Sequence, residues 1–202
     1  MRVLGITGGI ATGKSTVTQM LADLGAPTIS ADALAHDLLF PGTPTTRAVL
    51  DAFPDCADPS DGARLTVDRR ALGKIVFADP AARARLETLT HPAIIVALQE
   101  QIAAWRVSDQ APAAAAEIPL LFETKLEWLV DSIVVVTCSK SDQVSRMLVR
   151  GRSSEEEVSQ QIAAQWPLSQ KEVRADYLIR TDDFDIGMED TRRQVESLWK
   201  TL

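Results

Sequence analysis

Eight residues near the N-terminus, Gly8, Gly9, Ile10, Ala11, Thr12, Gly13, Lys14 and Ser15, constrain the fold more than any other stretch. They complete the pattern G-x-x-x-x-G-K-[ST], and their flanks supply the context that gives the pattern meaning. Before them, "VLGIT" (3–7) is a short apolar run stopped by two glycines, which reads as a buried strand. After them, Val17, Met20, Leu21 and Leu24 recur at i, i+3, i+4 and i+7, and Gly25 follows as a stop, which reads as an amphipathic helix. Small residues between a strand and a helix start leave backbone N–H groups uncovered. The helix N-terminus adds a dipole that favours an anion. The expected ligand is a nucleoside triphosphate tail wrapped by the loop. Lys14 would act as a point charge on its terminal phosphates, Ser15 as a Mg²⁺ ligand, and Thr16 would sit beside them in the first helical turn.

The rest of the chain alternates strand and helix signals. "APTISAD" (26–32) is a second strand candidate, and residues 33 to about 107 read as mostly helical, interrupted by "FPGTP" and "FPDCADPSDG". In "THPAIIVALQEQIAAW" the spacing predicts a helix with Pro92 at its first position and His91 just ahead of it. Ile95, Leu98, Ile102 and Trp105 share one face of that helix. "SDQAP" (108–112) reads as a linker. Alanine favours helix, but "AAAAEIP" (113–119) stands ahead of the strand "SIVVVTC" (132–138) and is expected to be a strand as well. Residues 140–151 predict a helix closed by Gly151, with Arg146 and Arg150 on one face. Ser154 and Glu157 have capping-box spacing, "YLIR" (177–180) is a short strand, and Val195, Leu198, Trp199 and Leu202 line a last helix. This alternation implies an α/β fold with a parallel sheet, whose ligands bind beyond the carboxyl ends of the strands.

That rule selects further residues. Asp32 follows the second strand, and its position leaves two roles open: proton acceptor for a substrate hydroxyl, or N-cap of a helix beginning at Ala33. Glu117 ends the alanine-rich strand and is expected either to help hold Mg²⁺ through water or to be a surface or capping acid. Arg146 and Arg150 either meet phosphates or form a solvated helix face, and Asp68 with Arg69 form either a local charged pair or a contact to an anionic substrate. The two histidines, His36 and His91, stand outside any metal-ligand spacing.

Exclusions narrow the reaction. The chain has no asparagine, which removes the Asn-Lys-x-Asp guanine-reading motif, and no Asp is followed three residues later by Gly, which removes the usual switch motif. At 202 residues it is short for a motor with coupling domains. A small-molecule kinase and a nucleotide-sensing regulator remain. The net charge of −7 argues against a polynucleotide partner. Two cysteines make no disulfide framework, and no apolar run reaches the roughly 20 residues of a membrane span, so a cytoplasmic protein is expected, as a monomer or weak homo-oligomer.

At family level the segments "GITGGIATGKST", "ISADALAHDLL", "TVDRRALGKIVFADPAARARLETLTHPAI", "EIPLLFET" and "SKSDQVSRMLVRGR" resemble the dephospho-CoA kinases, in the same order and from about residue 2 to residue 200. The HP-x-I and I-P-L-L-F-E segments are more diagnostic than the glycine loop. The resemblance implies a single P-loop kinase domain with a three-layer α/β fold and a five-stranded parallel sheet. It implies a core of about 1–35, 108–150 and 169–202, a helical acceptor-binding insertion of about 36–107 and a small lid of about 151–168. It implies ATP as co-substrate, Mg²⁺, and phosphorylation of the ribose 3′-hydroxyl of dephospho-CoA; other small alcohols or nucleosides are the alternative acceptors. By resemblance Asp32 is the general base, Arg146 faces the phosphates and Arg150 leads into the lid. Asp68, Arg69, Phe77, Leu86, His91, Pro92 and Glu117 fall on the substrate side. Three positions depart from the family's habit. Ala11 stands where Gly is frequent and is expected to do little harm. Gln161 stands where an arginine is common, which shifts a lid cation to Arg150 or Arg152. Thr181 stands near a usual asparagine.

Overall fold

In the computed structural model, which describes residues 1–62, 65–108, 110–149, 151, 154–181 and 187–202, five strands form one parallel sheet. They are β1 (Arg2–Gly8), β2 (Thr28–Ser30), β3 (Ala113–Glu117), β4 (Ser132–Thr137) and β5 (Tyr177–Arg180), in the order β2-β3-β1-β4-β5. The helices among the described residues are α1 (Lys14–Asp23), α2 (Ala31–Leu38), α3 (Pro44–Ala52), α4 (Arg69–Ala78), α5 (Pro80–Arg106), α6 (Lys140–Val149), α7 (Glu155–Ala163), α8 (Leu168–Glu172) and α9 (Gly187–Trp199). None of them is long and apolar enough to cross a membrane. The chain divides into two units, Met1–Ser30 with Gln101–Leu202, and Ala31–Glu100.

The first unit holds the sheet. A parallel sheet covered on both faces needs strands that are apolar throughout, and β1 and β4 have that character: Val3, Leu4 and Ile6 are buried, as are Val134, Val135 and Val136. The alanine run is a strand, as its place in the sequence implied. β3 pairs with β1 from Arg2↔Ala113 to Ile6↔Glu117 and with β2 from Thr28↔Ala115 to Ser30↔Glu117, and all five of its residues are buried. Pairing on both edges outweighs alanine's helix propensity, which is worth only a few tenths of a kcal/mol per residue against other good helix formers (~0.5). Val17, Met20 and Leu21 of α1 pack into the same core as Ala113, Ala115, Val134, Val136, Val195 and Leu198. Each large apolar side chain so buried contributes roughly 1.5–3 kcal/mol. Trp199 and Leu202 pack against that core, although Leu202 lies beyond the end of α9. Ser154 and Glu157 form the full capping box that opens α7.

The second unit has its own small core of Val49, Phe53, Cys56, Val67 and Leu72, with Leu86 and Leu89 packed against it. The Cys56 thiol donates to the Phe53 carbonyl oxygen at 2.9 Å, and burial pushes its pKa up, with Asp68 and Asp55 adding to the effect. Here one expectation fails: Pro92 does not open a helix but lies inside α5, and His91 is likewise internal. A different proline, Pro80, takes the first position, and the Asp79 carboxylate accepts from the Ala81 N–H at 2.8 Å. With that start already in place, Pro92 removes a single backbone donor in the middle of a 27-residue helix and does not end it.

The turn from β1 to α1 is where backbone conformation is most demanding. Gly8 has φ +150, and a Cβ there would lie 2.1 Å from the Val136 carbonyl oxygen, so no other residue fits. Gly13, at the mouth of α1, has φ +91. Ala11 has φ +57, the left-handed region, which explains why glycine suits this position. The strain of an alanine there, roughly 1–2 kcal/mol, is balanced by the buried methyl and by the lower entropy of the unfolded chain. Ala11→Gly is therefore expected to unfold within about 1 kcal/mol of the wild type in urea, whereas Ala11→Val, β-branched at positive φ, should lose at least about 2 kcal/mol.

Candidate active site

The loop between β1 and α1 emerges at the carboxyl ends of the strands. β1 lies between β3 and β4, so the chain leaves it toward one side of the sheet and later returns to the other. The loop therefore stands where the strand order reverses, the position at which open α/β sheets bind ligands. Its two chemical side chains are held in place. The Lys14 ammonium donates to the Gly9 carbonyl oxygen at 2.8 Å, folded back over the loop it serves. The Ser15 hydroxyl donates to Oε1 of Glu117 at 2.9 Å. Glu117 is buried at the end of β3, paired on both sides, so its carboxylate comes from the adjacent strand to the hydroxyl of the first helical turn. That excludes the reading of Glu117 as a surface acid. Thr12, fully buried, donates through Oγ1 to the Gly9 carbonyl oxygen at 2.9 Å and closes the turn from within.

Arg146 of α6 is not on a solvated face. Its Nη1 donates to the Ala11 carbonyl oxygen at 3.2 Å and to Oγ1 of Thr181 at 3.0 Å, and its Nη2 donates to the Thr181 carbonyl oxygen. It thus braces the phosphate loop against the end of β5. Arg150 and Arg152 lie outside the described residues. Three residues escaped the sequence reading. Gln143, one turn before Arg146 on α6, is buried and donates through Nε2 to the Ile10 carbonyl oxygen at 2.7 Å. Lys171 of α8 is fully buried; its ammonium pairs with Oε1 of Glu123 at 2.8 Å and points at the carbonyl oxygens of Gly8 and Pro119, each at 3.4 Å. Glu123 also accepts from the Trp166 N–H at 3.0 Å, and the Trp166 ring stacks on Phe122. The i−3 spacing of Gln143 from Arg146 was the only signal available for these contacts.

In the second unit Asp32 is exposed in the first turn of α2. The helix begins at Ala31, so Asp32 is not its N-cap, and its carboxylate sits where the helix dipole favours negative charge. Asp68 is the N-cap of α4 and accepts from the N–H groups of Arg70 and Ala71 at 2.8 and 3.1 Å. Arg69 turns away from it and donates to the His36 carbonyl oxygen at 2.9 Å, which brings α4 to α2. Phe77 is about half exposed at the end of α4; Leu86 is part of the small core, and His91 and Pro92 follow farther along α5. Among the substrate-side residues, Asp68 and Leu86 carry structural duties, while Asp32, Phe77 and Pro92 present accessible surface.

Known proteins resemble this chain in sequence and in fold over nearly its whole length. A family model described as dephospho-CoA kinase matches residues 2–184. A dephospho-CoA kinase from Geobacter metallireducens is 45% identical over 200 residues, covering 99% of this chain and 96% of the relative. Among solved structures, a Thermus thermophilus protein superposes with a TM-score of 0.78 at 33% identity, covering 100% of this chain and 97% of its own. A dephospho-CoA kinase from Campylobacter jejuni gives 0.67 at 26%, covering 99% and 96%. With a family model over residues 2–184 and a relative 45% identical over 99% of this chain, the protein belongs to the dephospho-CoA kinase family.

Proposed function

We propose that this chain transfers the γ-phosphoryl group of ATP to the ribose 3′-hydroxyl of dephospho-CoA, giving coenzyme A and ADP. The observation that carries the reading is the family match over residues 2–184 together with a phosphate loop whose lysine, serine and adjacent carboxylate are assembled on one sheet end. Phosphoryl transfer asks for alignment and charge neutralisation more than for covalent chemistry. Amides of the loop and the N-terminus of α1 hold the phosphate oxygens, and Lys14 exchanges the Gly9 carbonyl for a terminal phosphate. The Ser15 hydroxyl and the Glu117 carboxylate are hard oxygen donors of the kind Mg²⁺ takes, Ser15 directly and Glu117 through water. Bound there, the ion would offset charge on the β- and γ-phosphates.

Asp32 is the general base in this reading. It is an exposed carboxylate without a capping duty, two residues beyond the end of β2, and it accepts the 3′-hydroxyl proton as that oxygen meets the γ-phosphorus. Residues 36–107 supply the acceptor side and residues 151–168 act as a lid that keeps water from competing for the phosphoryl group.

A coupled assay for ADP tests the reading directly: ADP should form in step with added dephospho-CoA and not with simple alcohols or nucleosides. ADP release that ignores the acceptor would refute it. Asp32→Asn is expected to bind ATP within about twofold of the wild type by calorimetry while turnover drops by roughly 10²–10⁴; turnover near the wild-type rate would remove Asp32 from the mechanism. Glu117→Gln should raise the Mg²⁺ concentration for half-maximal rate several-fold, as read from a Mg²⁺ titration at fixed ATP.

A further inference from the structure

The carbonyl oxygens of residues 8 to 12 each accept from a side chain. Gly8 receives Lys171 at 3.4 Å, Gly9 receives Lys14 and Thr12, Ile10 receives Gln143 at 2.7 Å, Ala11 receives Arg146 at 3.2 Å, and Thr12 receives the Thr181 hydroxyl at 2.7 Å. A phosphate loop binds through its amides, and this loop is fastened by the opposite pole of its peptide groups. In a trans peptide the C=O and the following N–H point in opposite directions, and the described chain has no cis bond. Tying down the oxygens of Gly8, Ile10 and Thr12 therefore fixes the direction of the N–H groups of Gly9, Ala11 and Gly13. No bond from the Ala11 or Gly13 amide to a backbone acceptor occurs in the turn among the described residues.

We propose that Gln143 and Thr181 are positioning residues for phosphoryl transfer: from α6 and the end of β5 they hold the Ile10 and Thr12 carbonyls so that the Ala11 and Gly13 amides stay aimed at the polyphosphate. The proposal rests on the reading of this loop as the ATP site. Both contacts are built rather than incidental. Gln143 and Thr181 are buried, and only the amide nitrogen of Gln143 can face a carbonyl. A Cβ on residue 9 would lie 2.4 Å from that nitrogen, so Gly9 also makes room for the clamp. Thr181 is a relay: its Oγ1 accepts from Nη1 of Arg146 at 3.0 Å and donates to the Thr12 carbonyl oxygen, joining the arginine to the loop through one hydroxyl. Without these bonds the loop would have to order its peptides when ATP arrives, and affinity would fall by the cost of that ordering.

The test separates the hydroxyl and the amide from bulk. Thr181→Val and Gln143→Met keep shape and remove the donor, whereas Thr181→Ser keeps it. The loss of one such bond corresponds to roughly five- to tenfold. The dissociation constant for Mg-ATP, by calorimetry, and KM for ATP should rise by about that factor in Thr181→Val and in Gln143→Met, with KM for dephospho-CoA unchanged and Thr181→Ser within about twofold of the wild type. Wild-type nucleotide affinity in both donor-free variants overturns the clamp, as does an equal rise in both KM values. Gln143→Met decides the question if Thr181→Val does not fold. No Mg-ATP binding by the wild type overturns the nucleotide reading itself, and the clamp with it.

Discussion

The closeness of Gly8 to the end of β4 governs the rest of the first unit. A side chain at residue 8 would strike the Val136 carbonyl oxygen, so β1 and β4 can pair to Gly8↔Val136 only if that residue is glycine. The sheet pairing is thereby carried right up to the turn, and the loop departs from a rigid edge instead of a frayed one. On one side of β1 the pairing with β3 ends at Ile6↔Glu117, which brings a buried carboxylate to Ser15. On the other side β4 leads into α6, whose Gln143 and Arg146 reach the loop carbonyls. A single missing Cβ lets three neighbouring strands share one loop.

Fastening the loop concentrates polar groups in a part of the protein that water does not reach. Lys171 shows the cost most clearly. A fully buried ammonium loses several kcal/mol of hydration, and that loss is offset only when its partners are close. Here one carboxylate at 2.8 Å supplies most of the compensation, and two carbonyl oxygens at 3.4 Å supply little. Such a pair is weak evidence for stability but defines geometry well. It fixes α8 against the segment after β3, and Trp166, lying on Phe122 and under the Arg174 guanidinium, fixes the chain just ahead of α8.

Local features of the sequence translated directly into structure because their causes are local. The glycine spacing, the apolar runs of β1 and β4, the i, i+3, i+4 stripe of α1 and the capping box at Ser154 each depend on residues a few positions apart. The reading of β3 as a strand went against alanine's preference and relied on order along the chain. Pro92 was misread because "HPAI" looks like a helix start, while the true start lies twelve residues earlier at Pro80; a long helix can carry an internal proline, and no short window shows that. The clamp on the loop is legible only as two hints, Gln143 one turn from Arg146 and Thr181 near a usual asparagine of the family. The carbonyls they hold lie 133 and 169 positions away, and only the sheet brings them together.

The net charge of −7 makes the same point about electrostatics. Both proposed substrates are anions, and the overall charge of the chain repels them. At physiological ionic strength, however, a charge more than about 8 Å away is largely screened. On the proposed reading, what a phosphate would meet at the loop is the set of amides, the α1 dipole and Lys14, with the Arg146 guanidinium brought in from α6 by its bond to the Ala11 carbonyl oxygen. Binding an anion on an acidic protein therefore requires dipoles that are already oriented when it arrives, because loose ones would have to be ordered against the background field. In that sense the acidic composition and the braced loop belong together: the less the whole chain attracts its substrates, the more the few groups at the loop have to be held in place beforehand.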